Sequence, residues 1–174
     1  VNKAISDSWY GWLSIAYSET HRVNQLTAEE FSYEFDLPWI VNLVGNYEFN
    51  EKWQLGVRWR FQSGSLYTPV EGATPVYPLG ENGEMDVTQA PIFYDPTEGE
   101  FNSTRLDNFH RMDVRLDYQT KWWGKEANLY FEILNLYGQR SVAGFDYNED
   151  YTEREATYQF PETPIPSIGV QLEF

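Results

Sequence analysis

Cysteine is absent from all 174 residues. Disulfide bridges and thiolate metal sites are therefore excluded, and packing and hydrogen bonding alone must hold the fold. No stretch approaches the roughly 18 consecutive apolar residues of a membrane-spanning helix, and helix-period patterns are nearly absent. Histidine occurs twice, at His21 and His110. Basic residues are scarce: 12 Lys and Arg stand against 27 Asp and Glu, a net charge of −15. Such a surface repels a phosphate backbone, so no nucleic-acid partner is expected. The opening VNKAISDSW has neither an initiating Met nor a signal-peptide pattern and is expected to continue from something longer.

Aromatic residues, by contrast, abound: 13 Tyr, 11 Phe and 7 Trp. Acidic disordered chains are poor in aromatics, so disorder does not explain the low mean hydropathy. Tyr and Trp favour places where one end of the ring system is apolar and the other wet. The length suffices for one domain with a core.

Period-two alternation recurs along the chain and predicts an all-β, antiparallel protein of six strands, about 8–22, 38–49, 52–63, 109–121, 125–145 and 163–174. In the third, Trp53, Leu55, Val57, Trp59 and Phe61 oppose Gln54, Gly56, Arg58, Arg60 and Gln62. In the fourth, Met112, Val114, Leu116 and Tyr118 oppose Arg111, Asp113, Arg115 and Asp117. The last eight residues, SIGVQLEF, alternate to the terminal Phe174. Connections are short at Asn50-Glu51 and at 122–124, and long at 23–37, 64–108 and 146–162. The three long ones hold 18 acidic residues and only two basic ones, Arg105 and Arg154. The negative excess therefore lies at one end of the sheet.

Two-faced strands fit a soluble sheet with one wet face. Three features favour a transmembrane β-barrel wall. The segments run about 10–13 residues, where globular strands run about 5–6 and a tilted membrane strand needs about 9–11. Aromatics gather towards strand ends, as in interfacial girdles. The polar face carries dense rows of opposite charge, suited to cross-strand pairing in a wet lumen and costly against lipid. Short turns are then periplasmic and the long acidic loops extracellular.

No catalytic constellation is expected. Asp107, His110 and Asp113 match no ligand or acid–base spacing, and a structural role for the His is favoured. Neither a cofactor nor a metal site is expected. Tyr67, Tyr77, Phe93, Tyr94 and Phe101, on the longest loop, offer stacking surfaces to a ligand, with loop packing as the alternative use. Arg58, Arg60, Arg111, Asp113, Arg115, Asp117 and Glu132 form the luminal rows.

The stretches WQLGVRWRFQSGSLYTPV, RLDNFHRMDVRLDY, FEILNLYGQRSV and PSIGVQLEF, in this order and spacing, resemble the C-terminal barrel segment of TonB-dependent outer-membrane receptors. That resemblance implies a Gram-negative outer-membrane location among lipid and lipopolysaccharide. It implies a barrel of about 22 strands with a plugged lumen. It also implies a TonB box coupling to the inner-membrane complex, and energised uptake of a scarce small-molecule ligand: siderophore-iron, haem, cobalamin, another metal or an oligosaccharide. The luminal rows would then hold the plug, and Phe174 would be the assembly signal. Plug and TonB box have no counterpart in the sequence, so the rest of the barrel and the plug are expected as partners, from another chain or a missing part of the same protein. A porin or other outer-membrane barrel, and a soluble carbohydrate-binding β-sandwich, are the alternatives.

Overall fold

The computed structural model describes residues 8–173 and the backbone of residues 2–6. Fifteen strands and no helix occur among them. In chain order they are β1 (Asn2–Ser6), β2 (Trp9–Tyr17), β3 (His21–Val23), β4 (Glu30–Ser32), β5 (Trp39–Glu48), β6 (Trp53–Gln62), β7 (Leu66–Tyr67) and β8 (Val70–Val76). There follow β9 (Phe93–Glu98), β10 (Thr104–Arg105), β11 (Phe109–Trp122), β12 (Lys125–Leu134), β13 (Val142–Tyr147), β14 (Arg154–Tyr158) and β15 (Ile165–Leu172).

The main sheet has seven strands in the order β1-β2-β5-β6-β11-β12-β15, and every neighbouring pair in it is antiparallel. It is an open meander, and its outer strands β1 and β15 pair with nothing else among the described residues. Six of the seven lie within the alternating segments. The seventh, β1, has only five residues, NKAIS, too few for its alternation to stand out.

The expected strand boundaries need three corrections. The first strand stops at Tyr17, and His21–Val23 belongs to a separate hairpin with β4. The fifth ends at Leu134 instead of running to 145, because Asn135 (φ 55°) and Gly138 (φ 64°) take left-handed backbone that no strand can continue. Each long connection, moreover, is itself built of hairpins: β3–β4, then β8–β9 with β7–β10 clasping its neck, then β13–β14.

The short turns explain themselves chemically. Asn50 Oδ1 accepts from the amides of Lys52 and Trp53 at 2.9 and 3.1 Å, an Asx turn closing β5 onto β6. Trp123 (φ 50°) and Gly124 (φ 77°) both have positive φ between paired Trp122 and Lys125, which is the twist-matched two-residue hairpin turn.

Burial is inverted relative to a water-soluble domain. Only Leu66, Leu106 and Ala127 are buried hydrophobics among the described residues. Six polar residues are buried: Asp36, Ser63, Asn102, Asp113, Asn135 and Ser141. Large apolar side chains of the sheet stand exposed, including Ile15 at 60%, Leu43 at 46%, Phe131 at 45% and Ile168 at 84%. No helix is long and apolar enough to cross a membrane, which says nothing of crossing by strands.

Candidate functional site

The sheet presents two chemically opposite faces, fixed by register. On the apolar face, aromatic rings or a His occupy two rows. Trp9, Tyr47, Trp53 and Tyr118 lie towards the short turns, and Tyr17, Trp39, Phe61 and His110 towards the loops. On all four strands the two positions are eight residues apart. That is about 26 Å along a strand, or about 20 Å upright at a tilt of about 40°. The rings are in contact within the rows: Trp9–Tyr47 and Trp53–Tyr118 at 4.6 Å and Tyr17–Trp39 at 4.8 Å between centroids. Between the rows the same face holds Gly11, Leu13 and Ile15, then Val41, Leu43 and Gly45, then Leu55, Val57 and Trp59, then Met112, Val114 and Leu116. None of these carries a charge.

The opposite face carries the charged rows in two clusters. Asp113, 5% exposed in its side chain, sits directly across the ladder from Arg58 and accepts from Arg58 Nη2 at 2.7 Å. It also accepts from Arg111 Nη2 at 3.1 Å, with Arg111 Nε 3.0 Å from its other oxygen, and from the backbone amide of Asn135 at 3.0 Å. The second cluster joins Arg115 to Asp117 through paired bonds of 2.8–3.0 Å, with Asn128 Nδ2 donating to Asp117 at 2.7 Å. The Arg115 guanidinium lies over the Tyr130 ring at 3.9 Å. Tyr130 in turn crosses Gly169 on β15, where an added Cβ would come within 2.3 Å of the ring. Five of the seven residues expected in the luminal rows thus satisfy one another within the sheet. The Arg60 side chain donates only to Gln62 at 2.9 Å, and the Glu132 side chain, opposite Arg115, has no hydrogen bond among the described residues.

Above the sheet the loops interlock. Arg105 reaches from the neck of the second loop to the first, donating to Asp36 Oδ2 at 2.9 Å, to the Asp36 carbonyl, and to the Gly64 carbonyl at 2.7 Å. Asp36 Oδ1 accepts from the Thr20 amide at 2.8 Å. Asn102 Nδ2 donates to the Ser32 carbonyl at 2.9 Å. Asn135, 1% exposed, donates to the carbonyls of Gln139 and Pro161 at 3.1 and 3.2 Å and accepts from the Gln139 amide at 3.0 Å. This folds the third loop's base over the charged face, where Arg111 lies 4.9 Å from the Phe160 ring.

The five loop aromatics do not converge on one surface. Tyr67 packs on Phe145 at 5.3 Å and Phe101 edge-on to Phe31 at 5.4 Å, so both join loop to loop. Tyr77, Phe93 and Tyr94 lie away from them on the β8–β9 hairpin, where Phe93 is exposed. Nor do Asp107, His110 and Asp113 gather. His110 faces the apolar side with its Nδ1 2.8 Å from the Tyr137 hydroxyl, whereas Asp113 faces the charged side. No group of His, Asp or Glu suited to hold a metal ion occurs among the described residues. Phe174 lies outside them.

Asp36, Asn135 and Ser141 were not legible as site residues in the sequence. Arg105 left one trace, as one of two cations in otherwise acidic connections. No protein-family model matches the chain, and neither a curated protein nor a solved structure matches it significantly.

Proposed function

We propose that the chain is a segment of an outer-membrane β-barrel wall, and that it works in a TonB-dependent receptor for energised uptake of a small-molecule ligand. The observation that carries this is the inverted burial. An apolar face bounded by two aromatic rows lies uncovered, while charges gather on the other face. Water is a poor solvent for such an apolar face, and exposed patches of this extent mark surfaces that meet something apolar. A hydrocarbon band of about 25 Å between aromatic girdles is comparable to the roughly 20 Å upright distance between the rows, and the absence of charge suits it. In lipid, the open edges at β1 and β15 require further strands, because unpaired backbone groups there cost several kcal/mol each.

The choice of a TonB-dependent receptor over a porin rests on the sequence resemblance and on the spare valence of Arg60 and Glu132 on the charged face. Both keep hydrogen-bonding capacity for a plug, Arg60 beyond its bond to Gln62 and Glu132 beyond its attraction to Arg115. The test is depth-resolved fluorescence quenching by brominated phospholipids, using variants that retain one Trp each. Trp59, which lies between the rows, should be quenched by deeper bromines than Trp39 and Trp53, which lie in them. A detergent-free, monomeric chain that melts cooperatively would refute the barrel and favour the soluble sandwich.

A further inference from the structure

We propose that the junction of the three loops is a small binding pocket for a neutral polyhydroxylated group, such as one sugar unit of a larger ligand. All three loops contribute to a cavity of about 180 Å³ at the loop end of the sheet, among its lining residues Phe35, Ser63, Phe109 and Ser141. That is well above the roughly 10–15 Å³ that one water needs and leaves room for a small polar ligand. Ser141 is 4% exposed, and its hydroxyl has no hydrogen-bond partner among the described residues. A buried hydroxyl without a partner is a standing cost that a bound group can relieve.

Ser63 Oγ already accepts from the Trp39 amide at 3.1 Å, while the remaining polar side chains of the lining, which water can reach, have hydrogen-bonding groups to offer a ligand. Gln62 accepts from Arg60 through Oε1 and keeps both amide protons to donate. The side chains of Ser65, Gln159 and Asp107 have no hydrogen bond among the described residues. Hydroxyls and carboxamides both donate and accept, as a polyol's own hydroxyls do. Phe35 and Phe109 add apolar surface for the carbon face of such a ring.

Charge narrows the class further. No Lys, Arg or His lines the cavity, which disfavours a phosphate or carboxylate. The two acids that line it, Glu34 and Asp107, are exposed, so the desolvated part is the serine-rich floor and not an ammonium cage. Gln62 and Phe109 pair across the ladder in step with Arg60 and Arg111, which sets the pocket on the charged face. The inference rests on the receptor reading only for the direction of approach, from outside towards the lumen.

The test uses the folded chain in amine-oxide micelles, since glycoside detergents would compete. Methyl glycosides of glucose, galactose and mannose serve as probes in saturation-transfer NMR and titration. At least one should bind in the millimolar range or tighter, and Ser141→Ala should weaken it about tenfold. The same substitution should raise the unliganded melting temperature, because it removes a buried hydroxyl that has no partner among the described residues. Ser103→Ala, outside the cavity, should leave binding unchanged. Absence of binding by all three probes, or equal binding by Ser141→Ala, overturns the proposal. A lowered melting temperature in Ser141→Ala without glycoside binding marks a water site and also overturns it. Either result leaves the lipid-quenching test of the barrel untouched, and glycoside binding by a chain that fails the quenching test would keep the pocket and sink the barrel.

Discussion

Removing the Asp113 carboxylate should be among the most damaging single changes in the sheet. Asp113→Ala strips the acceptor from Arg58, from Arg111 and from the amide of Asn135 at once. The three losses differ in size. Arg58 is 56% exposed in its side chain and can rehydrate, so its share is below about 1 kcal/mol. The Asn135 amide is deeply buried and loses a charged acceptor, a cost of about 1–3 kcal/mol. Arg111, 23% exposed, keeps a partly desolvated charge without a counter-ion. Together they give about 3–5 kcal/mol, the usual cost of breaking a buried pair from one side. Asp113→Asn should cost about half as much, because its remaining oxygen still accepts from the Asn135 amide. Urea unfolding of the protein in liposomes, followed by Trp fluorescence, measures both. With a slope of about 1–3 kcal/mol per M, the alanine variant should unfold about 2 M earlier. A loss within about 0.5 kcal/mol, or equal losses for Ala and Asn, would refute this account of the cluster.

Leu43 lies midway between the aromatic rows at Trp39 and Tyr47, so Leu43→Arg should cost about 2–4 kcal/mol in liposome unfolding. A neutral result there would argue against a lipid-facing surface. Arg105→Ala loosens the first loop's hold on the second, and hydrogen exchange should quicken at Thr20, Asp36 and Leu66 with little change in β11 and β12. Arg60→Glu should weaken retention of a plug without lowering stability, whereas Arg115→Glu should lower stability by expelling Asp117 and Asn128 from their shared contact. On the β8–β9 tip, hydrogen bonds from the Thr88 hydroxyl, the Gln89 amide and the Thr88 backbone hold the Asp86 carboxyl below its ordinary range. The folded value being the lower one, this turn is stabilised above the unfolded carboxylate value and loses that contribution as pH falls through the folded value. An NMR titration of Asp86 that gives an ordinary carboxylate midpoint would contradict it.

What the sequence disclosed was what depends on period two. The two-faced segments at 53–62 and 109–121, and the sorting of charges from aromatics, follow from alternation, which strand geometry imposes locally. The end of β12 did not follow, because FEILNLYG continues an apolar rhythm through Asn135 and only a left-handed φ at that residue stops the strand. The loop hairpins were hidden for a related reason. β7 and β10 have two residues each, and partners far apart in sequence hold them, so no local period betrays them. Long-range polar pairs are harder still. Asp36 and Arg105 are 69 residues apart, and nothing in either local segment names the other.

Arg105, Asn102 and Asn135 share a purpose that places the rigid part of the molecule. Where strands part to become loops, the ladder ends and carbonyls lose their partners, and buried backbone groups must find others. Arg105 caps the carbonyls of Asp36 and Gly64, Asn102 caps Ser32, and Asn135 caps Gln139 and Pro161. Gly64 allows this crowding, since a Cβ there would lie 1.9 Å from the Leu106 carbonyl oxygen. Side chains thus take over from the sheet at its outer rim, and they tie loop to loop while doing so. A collar fixed in this way loses little conformational freedom when a ligand arrives, so few contacts suffice for binding. The acidic hairpin tips beyond it have mostly local hydrogen bonds between near neighbours, such as Asp86 with Thr88 and Asp150 with Thr152. In the receptor proposed above, recognition that needs fixed geometry would belong at the collar, and capture that tolerates motion at the tips.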